Sequence, residues 1–370
     1  MIYLDYTATT PIDEEVLETY LKCQRNFFAN TSSLHKLGQM SNYMFEKASI
    51  EIKEILNISN HNIVYTANAT EANNLAILGI VSKYNQGKII TTKIEHPSVF
   101  EVFKNLEKKG FEVIYLDVDE NGIINMNQLI DSIDKNTILV SIMWVNNIVG
   151  SIQPIKKIIE IIKKYPKVKL HVDGVQGIGK IMPDFKIEDI DLFTFSGHKI
   201  YAPKGIGVLA YKNNLELEKH LYGSQAQYGV KPGTVDLALP VALCKALKIY
   251  YPITKEHYEY VSMLNKYLIA KLLLNNKIVI NSKQSSPYII NISLPNILGE
   301  TILHYLEEEE IYVSTGSACS SKLKKPEKTI LAMTNSNELA TTSIRISLSH
   351  LTTKEEIDKL IIALEKITNV

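Results

Sequence analysis

The chain has 370 residues, enough to bury a sizeable core. Forty Lys and Arg balance forty Asp and Glu, so the overall field offers nothing to hold a nucleic-acid backbone or an anionic bilayer. Three cysteines, Cys23, Cys244 and Cys319, are too few for a disulfide framework and match no zinc-site spacing, which points to a reducing cytoplasm.

The opening MIYLDYTATT has no basic stretch followed by an apolar one, and no window approaches eighteen uninterrupted apolar residues. A cleaved export signal and a membrane span are therefore not expected. Apolar, β-branched runs follow at Ile63–Tyr65, Lys88–Thr91, Val113–Val118, Ile138–Val145, Lys169–Val172, Leu192–Phe195 and Val208–Tyr211, with helical periodicity between most of them. This alternation predicts an α/β fold with a mostly parallel sheet covered by helices. Such sheets bind ligands at the carboxyl ends of their strands, where short polar stretches fall: Ala67–Glu71, Glu95–Pro97, Asn146–Asn147, Asp173–Gln176 and Ser196–Lys199. From about residue 250 the pattern becomes helix-rich. The expected division is a large domain over residues 13–250 and a smaller α+β domain made of residues 1–12 and 251–370.

Several segments carry residues suited to chemistry. In the run Tyr65–Asn74, small residues lead into a helix beginning near Thr70; free amides and a hydroxyl at a helix N-terminus form a phosphate site, and simple capping explains Thr70 equally well. Glu95-His-Pro-Ser places His96 where its ring could stack on a planar cofactor and relay protons, or merely cap. Asp173, at the end of Leu170-His-Val-Asp, could keep a pyridine nitrogen protonated, with Gln176 donating to a ring hydroxyl; a helix cap is the plainer role. His171 reads as a satisfied core histidine. Lys199 ends Ser196-Gly-His-Lys, where a partly buried amine can lose its proton and condense with an aldehyde. That motif alone reads as an ordinary surface lysine.

Near the other end, Cys319 lies among small residues followed by three lysines, Lys322, Lys324 and Lys325. Nearby cations lower a thiol's pKa, whereas Cys244 lies in the apolar run of a structural thiol. Arg345, in Ser343-Ile-Arg-Ile-Ser, could bind a carboxylate bidentately or form a surface ion pair. His96, His171 and His198 lack paired ligand spacing, so no metal is expected.

Taken in order, LDYTATT, SSLHKLG, ATEANNLAI, TTKIEHPSV, MWVNNIVGSIQPI, HVDGVQGIGK, FSGHK with APKGIGVL, PGT at 232–234, STGSACSS and SIRISLSHLTTKEEID span essentially the whole chain. Together they resemble the cysteine desulfurases of the NifS/IscS type, fold type I pyridoxal-phosphate enzymes related to class V aminotransferases. The long Ser/Gly/Lys stretch around Cys319 is similar to the group whose cysteine rides on a mobile loop.

The resemblance implies pyridoxal 5'-phosphate as cofactor, a homodimer, and a seven-stranded sheet in the large domain. It makes Lys199 the Schiff-base lysine, Asp173 the pyridine-nitrogen partner, Gln176 the ring-hydroxyl donor and His96 the stacking acid/base. Ala69, Thr70, Ser196 and His198 would bind the phosphate, with Thr234 reaching in from the second subunit. Asn146 and Arg345 would hold the substrate carboxylate, and Cys319 would take sulfur from free L-cysteine as a persulfide, leaving L-alanine. The sulfur would then pass to an acceptor protein of iron–sulfur cluster assembly or tRNA thiolation. Selenocysteine lyase activity and a weakly catalytic docking scaffold are the alternatives.

Four departures from the family pattern stand out. Tyr6 and Thr7 replace an Asn-Ala pair, Ile148 replaces a glutamate, Gly223-Ser-Gln-Ala-Gln-Tyr-Gly229 (with Ala226 at its centre) replaces Gly-Gly-Gly-Gln-Glu-Arg-Gly, and Lys231 replaces a common arginine. The resemblance places the third stretch at the subunit interface near the active site.

Overall fold

The computed structural model describes residues 1–316 and 326–368. In chain order the first part carries β1 (Ile2–Tyr3), α1 (Glu14–Asn26), α2 (Lys36–Leu56), β2 (His61–Thr66), α3 (Ala69–Val81), β3 (Lys88–Thr92), α4 (Pro97–Lys108) and β4 (Glu112–Leu116). Then come α5 (Met126–Ser132), β5 (Thr137–Met143), α6 (Ile155–Ile162), β6 (Lys169–Asp173), β7 (Leu192–Ser196), β8 (Gly207–Lys212) and α7 (Ala238–Tyr250). The remainder holds α8 (Thr254–Leu272), β9 (Val279–Ile280), β10 (Ile289–Ser293), α9 (Gly299–Glu308), β11 (Ile311–Tyr312), α10 (Lys328–Thr334), α11 (Asn337–Thr341), β12 (Ser343–Ser347) and α12 (Lys354–Thr368).

A seven-stranded sheet in the order β2-β8-β7-β6-β5-β3-β4 forms the centre, and each of the seven apolar runs supplies one strand. Only β8 runs against its neighbours. Strands buried on both faces read as continuous apolar runs rather than as alternating ones, and β5, β6 and β7 are buried at nearly every position. The carboxyl ends of β2, β3, β5, β6 and β7 therefore share one edge with the amino end of β8. Trp144, just past β5, is fully buried and meets Phe185 edge-on at 5.0 Å.

A separate apolar cluster joins Ile2 and Leu4 to Val261, Leu268, Ile290, Ile292, Ile344, Ile346 and Leu360. It packs around the three-stranded sheet β12-β10-β9 and the two-stranded parallel pair β1-β11. The chain's first residues thus pair with segments more than 300 positions away, Ile2 opposite Ile311 and Asp5 bridged to Ser347.

Two departures from the family pattern are absorbed by packing. Tyr6 is buried and sets its ring edge-on to Tyr3 at 4.9 Å. Ile148 is 2% exposed and joins Val149, Ile330, Met333 and Ala340 in an apolar cluster that holds α10 and α11 against the loop after β5. A carboxylate there would be desolvated at a cost of several kcal/mol unless paired. Among the described residues, no helix is long and apolar enough to cross a membrane.

Candidate active site

At the carboxyl edge of the sheet lies a cavity of about 240 Å³ whose lining includes Thr7, Thr70, His96, Asp173, Lys199 and Arg345. Each reaches it from a different segment. Lys199 closes a single turn of 3-10 helix that follows β7, and the next turn forces buried Tyr201 to φ +64°, which costs a non-glycine residue roughly 1–2 kcal/mol. Hydrogen bonds offset that strain: the Tyr201 N–H donates to Thr10 Oγ1 (2.9 Å), its carbonyl accepts from the Asp13 N–H (3.0 Å), and its hydroxyl pairs with Ser349 Oγ (2.7 Å).

The Lys199 ammonium donates to the carbonyls of Thr7 (2.7 Å) and Ala8 (2.6 Å), and it makes no ion pair with a carboxylate among the described residues. Burial, reinforced by the Arg345 guanidinium, pulls its pKa down to about 7. Lys180, also pulled down to about 7 by burial, donates to Gln176 Oε1 (2.8 Å). That fixes the Gln176 amide so that Nε2 donates to the Thr7 carbonyl (3.1 Å).

Asp173 ends β6 at 5% exposure and accepts from the Val175 N–H (3.0 Å) and from Asn73 Nδ2 (2.9 Å). His96 is the N-cap of α4, with Pro97 in the first helical position. Its Nδ1 accepts from the Ser98 N–H (3.1 Å) and lies 2.8 Å from Ser98 Oγ. Burial lowers its pKa, Lys199 and Arg345 push the same way, and Asp173 opposes them. His198 is pulled down to about 3, first by burial and then by Lys199 and Lys180.

The amino end of α3 completes the cavity. Asn68 caps it by accepting from the Glu71 N–H (2.9 Å), and Glu71 Oε2 accepts from the Ala67 N–H (2.6 Å). The amides of Ala69 and Thr70 stand in the first turn, where no intrahelical acceptor exists. Gly207 lets this loop approach: a Cβ there would lie 2.4 Å from the Asn68 carbonyl carbon and 2.6 Å from its oxygen. Lys231 ties in from outside, 2.8 Å from Glu71 Oε1. Gln227, in the altered stretch, accepts from the Tyr65 N–H through Oε1 (2.6 Å), satisfying an edge of β2.

Pyridoxal phosphate, expected from the resemblance, fits these donors. The helix N-terminus offers amides to a phosphate, Asp173 offers a buried anion to a pyridinium, and Lys199 offers an amine with a lowered pKa. Two buried polar atoms of lining residues, Arg345 Nε and Thr7 Oγ1, have no partner among the described residues, as befits a cavity built around a polar ligand.

Most of the expected residues meet here: Ala69, Thr70, His96, Asp173, Gln176, His198, Lys199 and Arg345 all line the cavity. Asn146 does not. It is fully buried, its Nδ2 donates to the Ile94 carbonyl (3.0 Å), and its Oδ1 accepts from the N–H groups of Ile148 and Val149. Every polar position of that side chain folds the loop, and Asn147 lines the cavity instead. Ser196 is also absent from the lining; its hydroxyl faces the Ile206 carbonyl (3.3 Å). Thr234 lies in an exposed groove with Asn30, Ser32 and Tyr222, apart from the cavity of its own chain. Cys319 lies outside the described residues.

Sequence reasoning passed over Thr7, Asn73, Ser98 and Glu95. Asn73 is fully buried on α3 amid Ala72, Leu75 and Ala76, and an amide among apolar helix positions is the signal that marks it. Glu95, pushed up to about 8 by burial, accepts from the Met143 N–H (3.0 Å) and Thr92 Oγ1 (2.8 Å). Among the described residues, no group of three or more His, Cys, Asp or Glu could hold a metal ion.

Comparison with known proteins gives the family. The family model for class-V aminotransferases matches residues 2–360. A NifS/IcsS protein homolog of Lactobacillus delbrueckii subsp. bulgaricus is 38% identical over 99% of this chain and 97% of that protein. Cysteine desulfurase IscS of Pseudoalteromonas translucida is 38% identical over 96% of this chain and 90% of its own length. Among solved structures, a NifS-like protein superposes with a TM-score of 0.92 at 32% identity, covering 100% of this chain and 99% of that one. SspA in complex with cysteine superposes with a TM-score of 0.83 at 30% identity, covering 95% and 100%. The chain belongs to the class-V aminotransferase family, among its pyridoxal-phosphate-dependent cysteine desulfurases.

Proposed function

We propose that this cavity converts L-cysteine to L-alanine and that Cys319 carries the sulfur away as a persulfide. The observation that supports this most directly is the partly buried Lys199 amine, drawn down to about 7, in one cavity with Asp173, His96 and Arg345. Ala69 and Thr70 hold the phosphate together with His198, while Gln176, Asp173 and His96 hold the ring. Pyridoxal phosphate, when bound, supplies an electron sink at the substrate Cα.

The residues divide the remaining work. Arg345 and Asn147 orient the substrate carboxylate in the role expected of Arg345 and Asn146. Lys199, whose lowered pKa lets it give up its proton near pH 7, accepts the Cα proton at Nζ. His96 donates from its cavity-side nitrogen. The Cys319 thiolate attacks the substrate sulfur; an S–S bond forms, the Cβ–S bond breaks, and Cβ takes a proton to become the alanine methyl group, so no outside oxidant is needed. The other two cysteines are unsuited to that task. Burial pushes Cys23 up to about 11 and Cys244 up to about 12, so neither supplies a thiolate at neutral pH.

The proposal extends to the assembly. A second copy brings Thr234 to the cavity, and the exposed Leu34 (91%) and Tyr222 (87%) mark the surface it covers. Residues 13–250 and residues 1–12 with 251–370 form the two domains. The sulfur passes in the cytoplasm to a protein acceptor of iron–sulfur cluster assembly or tRNA thiolation, a reading supported by the IscS-named relatives.

The test is a visible spectrum of the purified protein, then addition of L-cysteine with assay of alanine. Cofactor absorption that changes with cysteine, with alanine formed, is expected. Cys319→Ala should retain the cysteine-induced spectral change and release no alanine; normal alanine release would sink the assignment of Cys319.

A further inference from the structure

We infer that Asn73 is a positioning residue whose amide, oriented by Asp173, acts through Ser98 to hold His96 as the imidazole protonated on Nε2. The inference rests on the proposed role of His96, and it deepens that role by specifying which proton is present at the start.

The directions of the hydrogen bonds follow from one carboxylate and one backbone N–H. An ionised Asp173 can only accept, so the Asn73 atom 2.9 Å from its Oδ2 must be Nδ2. The second Nδ2 proton points to Ser98 Oγ at 2.9 Å. Ser98 Oγ thus accepts from Asn73; a hydroxyl can accept a second bond, so the sense of its 2.8 Å contact with His96 Nδ1 is set by the backbone N–H of Ser98, which already donates to that nitrogen and leaves the hydroxyl to donate as well. The Ser98 N–H reaches the same nitrogen at 3.1 Å. Two donors converge on Nδ1, so that nitrogen carries a lone pair and a neutral ring carries its proton on Nε2.

The other end of the amide agrees. Asn73 Oδ1 must accept, and Thr194 Oγ1 donates to it at 2.5 Å. Thr194 then accepts from His171 Nε2 (3.2 Å), whose Nδ1 receives the Ser141 hydroxyl (2.7 Å). The whole line, Ser141 to His96, satisfies its donors and acceptors in a single sense, and Asn73 is the one member touching both Asp173 and Ser98.

The neutral ring this requires is favoured by its surroundings. His96 is held below the usual histidine range by burial and by Lys199 and Arg345 against the pull of Asp173. The consequence is mechanistic. His96 enters the reaction as a proton donor, which leaves the first proton abstraction to Lys199.

The experiment is a two-bond ¹H–¹⁵N correlation spectrum of the imidazole nitrogens in ¹⁵N-histidine-labelled protein, recorded with and without cofactor at pH 7. His96 is identified by the signals lost in His96→Gln. The wild type should show the Nε2–H pattern. Asn73→Leu and Ser98→Ala should move the two ring-nitrogen shifts of His96 toward each other as the Nδ1–H form gains population, whereas Ser98→Thr, which keeps hydroxyl and amide, should retain the wild-type pattern. An Nδ1–H pattern in the wild type, or unchanged spectra in both Asn73→Leu and Ser98→Ala, overturns the inference whatever the alanine assay gives. Unimpaired alanine release by His96→Gln, with the Nε2–H pattern present in the wild type, removes the proposed role and leaves the tautomer assignment standing.

Discussion

Lys199 Nζ lies 2.7 Å from the carbonyl of Thr7, so the partly buried amine is held by the N-terminal segment rather than by a carboxylate. Carbonyl acceptors hold an ammonium without neutralising it, and burial therefore prevails, drawing the pKa down to about 7. The unfolded chain keeps its lysine near the ordinary value of about 10.4. Between those two values the unfolded state binds one more proton than the folded state, and stability rises with pH by up to about 1.4 kcal/mol per unit. Below pH 7 the full penalty is present. Lys199→Met should make the cofactor-free protein more stable at pH 7 than the wild type and flatten its rise toward pH 10, as read by urea denaturation. Lys180, lowered to the same value, keeps part of the slope.

Glu95 gives the opposite sign. Its carboxyl is pushed up to about 8 by burial, and Oε2 has no partner among the described residues. The folded state then binds the extra proton between the ordinary glutamate range near 4.3 and about 8, so this group's contribution falls as pH rises through that window. Glu95→Gln should leave stability nearly unchanged at pH 4 and raise it at pH 8.5. Equal denaturation midpoints for variant and wild type at pH 8.5 would show that the carboxyl ionises without penalty.

The seven strands and the edge they share were legible because doubly buried strands write themselves as β-branched runs. What the runs leave open is where each ladder stops. The run Ile138–Val145 ends two residues beyond β5, which closes at Met143; past that point the side-chain alternation no longer holds, and the loop turns Asn146 inward and Asn147 to the cavity. Ser196 differs for a related reason: as the last residue of β7 it pairs with Gly207, and its hydroxyl stays with the Ile206 carbonyl. Thr234 is named through the resemblance alone, and in one chain it lines a separate groove rather than the cavity. The His96–Asn73–Asp173 network joins α3, α4 and β6, a contact that no local pattern encodes.

Gly207 bears on the cofactor rather than on the core. It sits on β8 between Thr66 of β2 and Ser196 of β7, and a Cβ there would strike the Asn68 backbone at 2.4 Å. Backbone cannot give way as a side-chain tip does, so Gly207→Ala should push the cap of α3 outward, at a cost of roughly 1–3 kcal/mol. Displaced amides bind phosphate less well. Titration of the cofactor-free variant with pyridoxal phosphate should give a weaker dissociation constant than wild type, and an unchanged constant would show that the loop relaxes freely.

Arg345 is bound on two sides and bare on the third. Its Nη2 pairs with Asp5 at 2.7 Å and its Nη1 donates to the Asn147 carbonyl at 2.9 Å, while Nε is buried without a partner among the described residues. An unsatisfied buried donor is unfavourable, and a substrate carboxylate that reaches it relieves that cost in the bound state alone. Lysine keeps the charge and loses the planar fork. Hydrogen bonds to charged groups contribute about 1.5–3 kcal/mol, so Arg345→Lys should raise the KM for L-cysteine roughly tenfold to a hundredfold. The absorption of bound cofactor should not change, since the contacts proposed for it lie on Lys199, Asp173 and the α3 cap. If KM is unaltered while that absorption is lost, Arg345 serves the cofactor rather than the substrate.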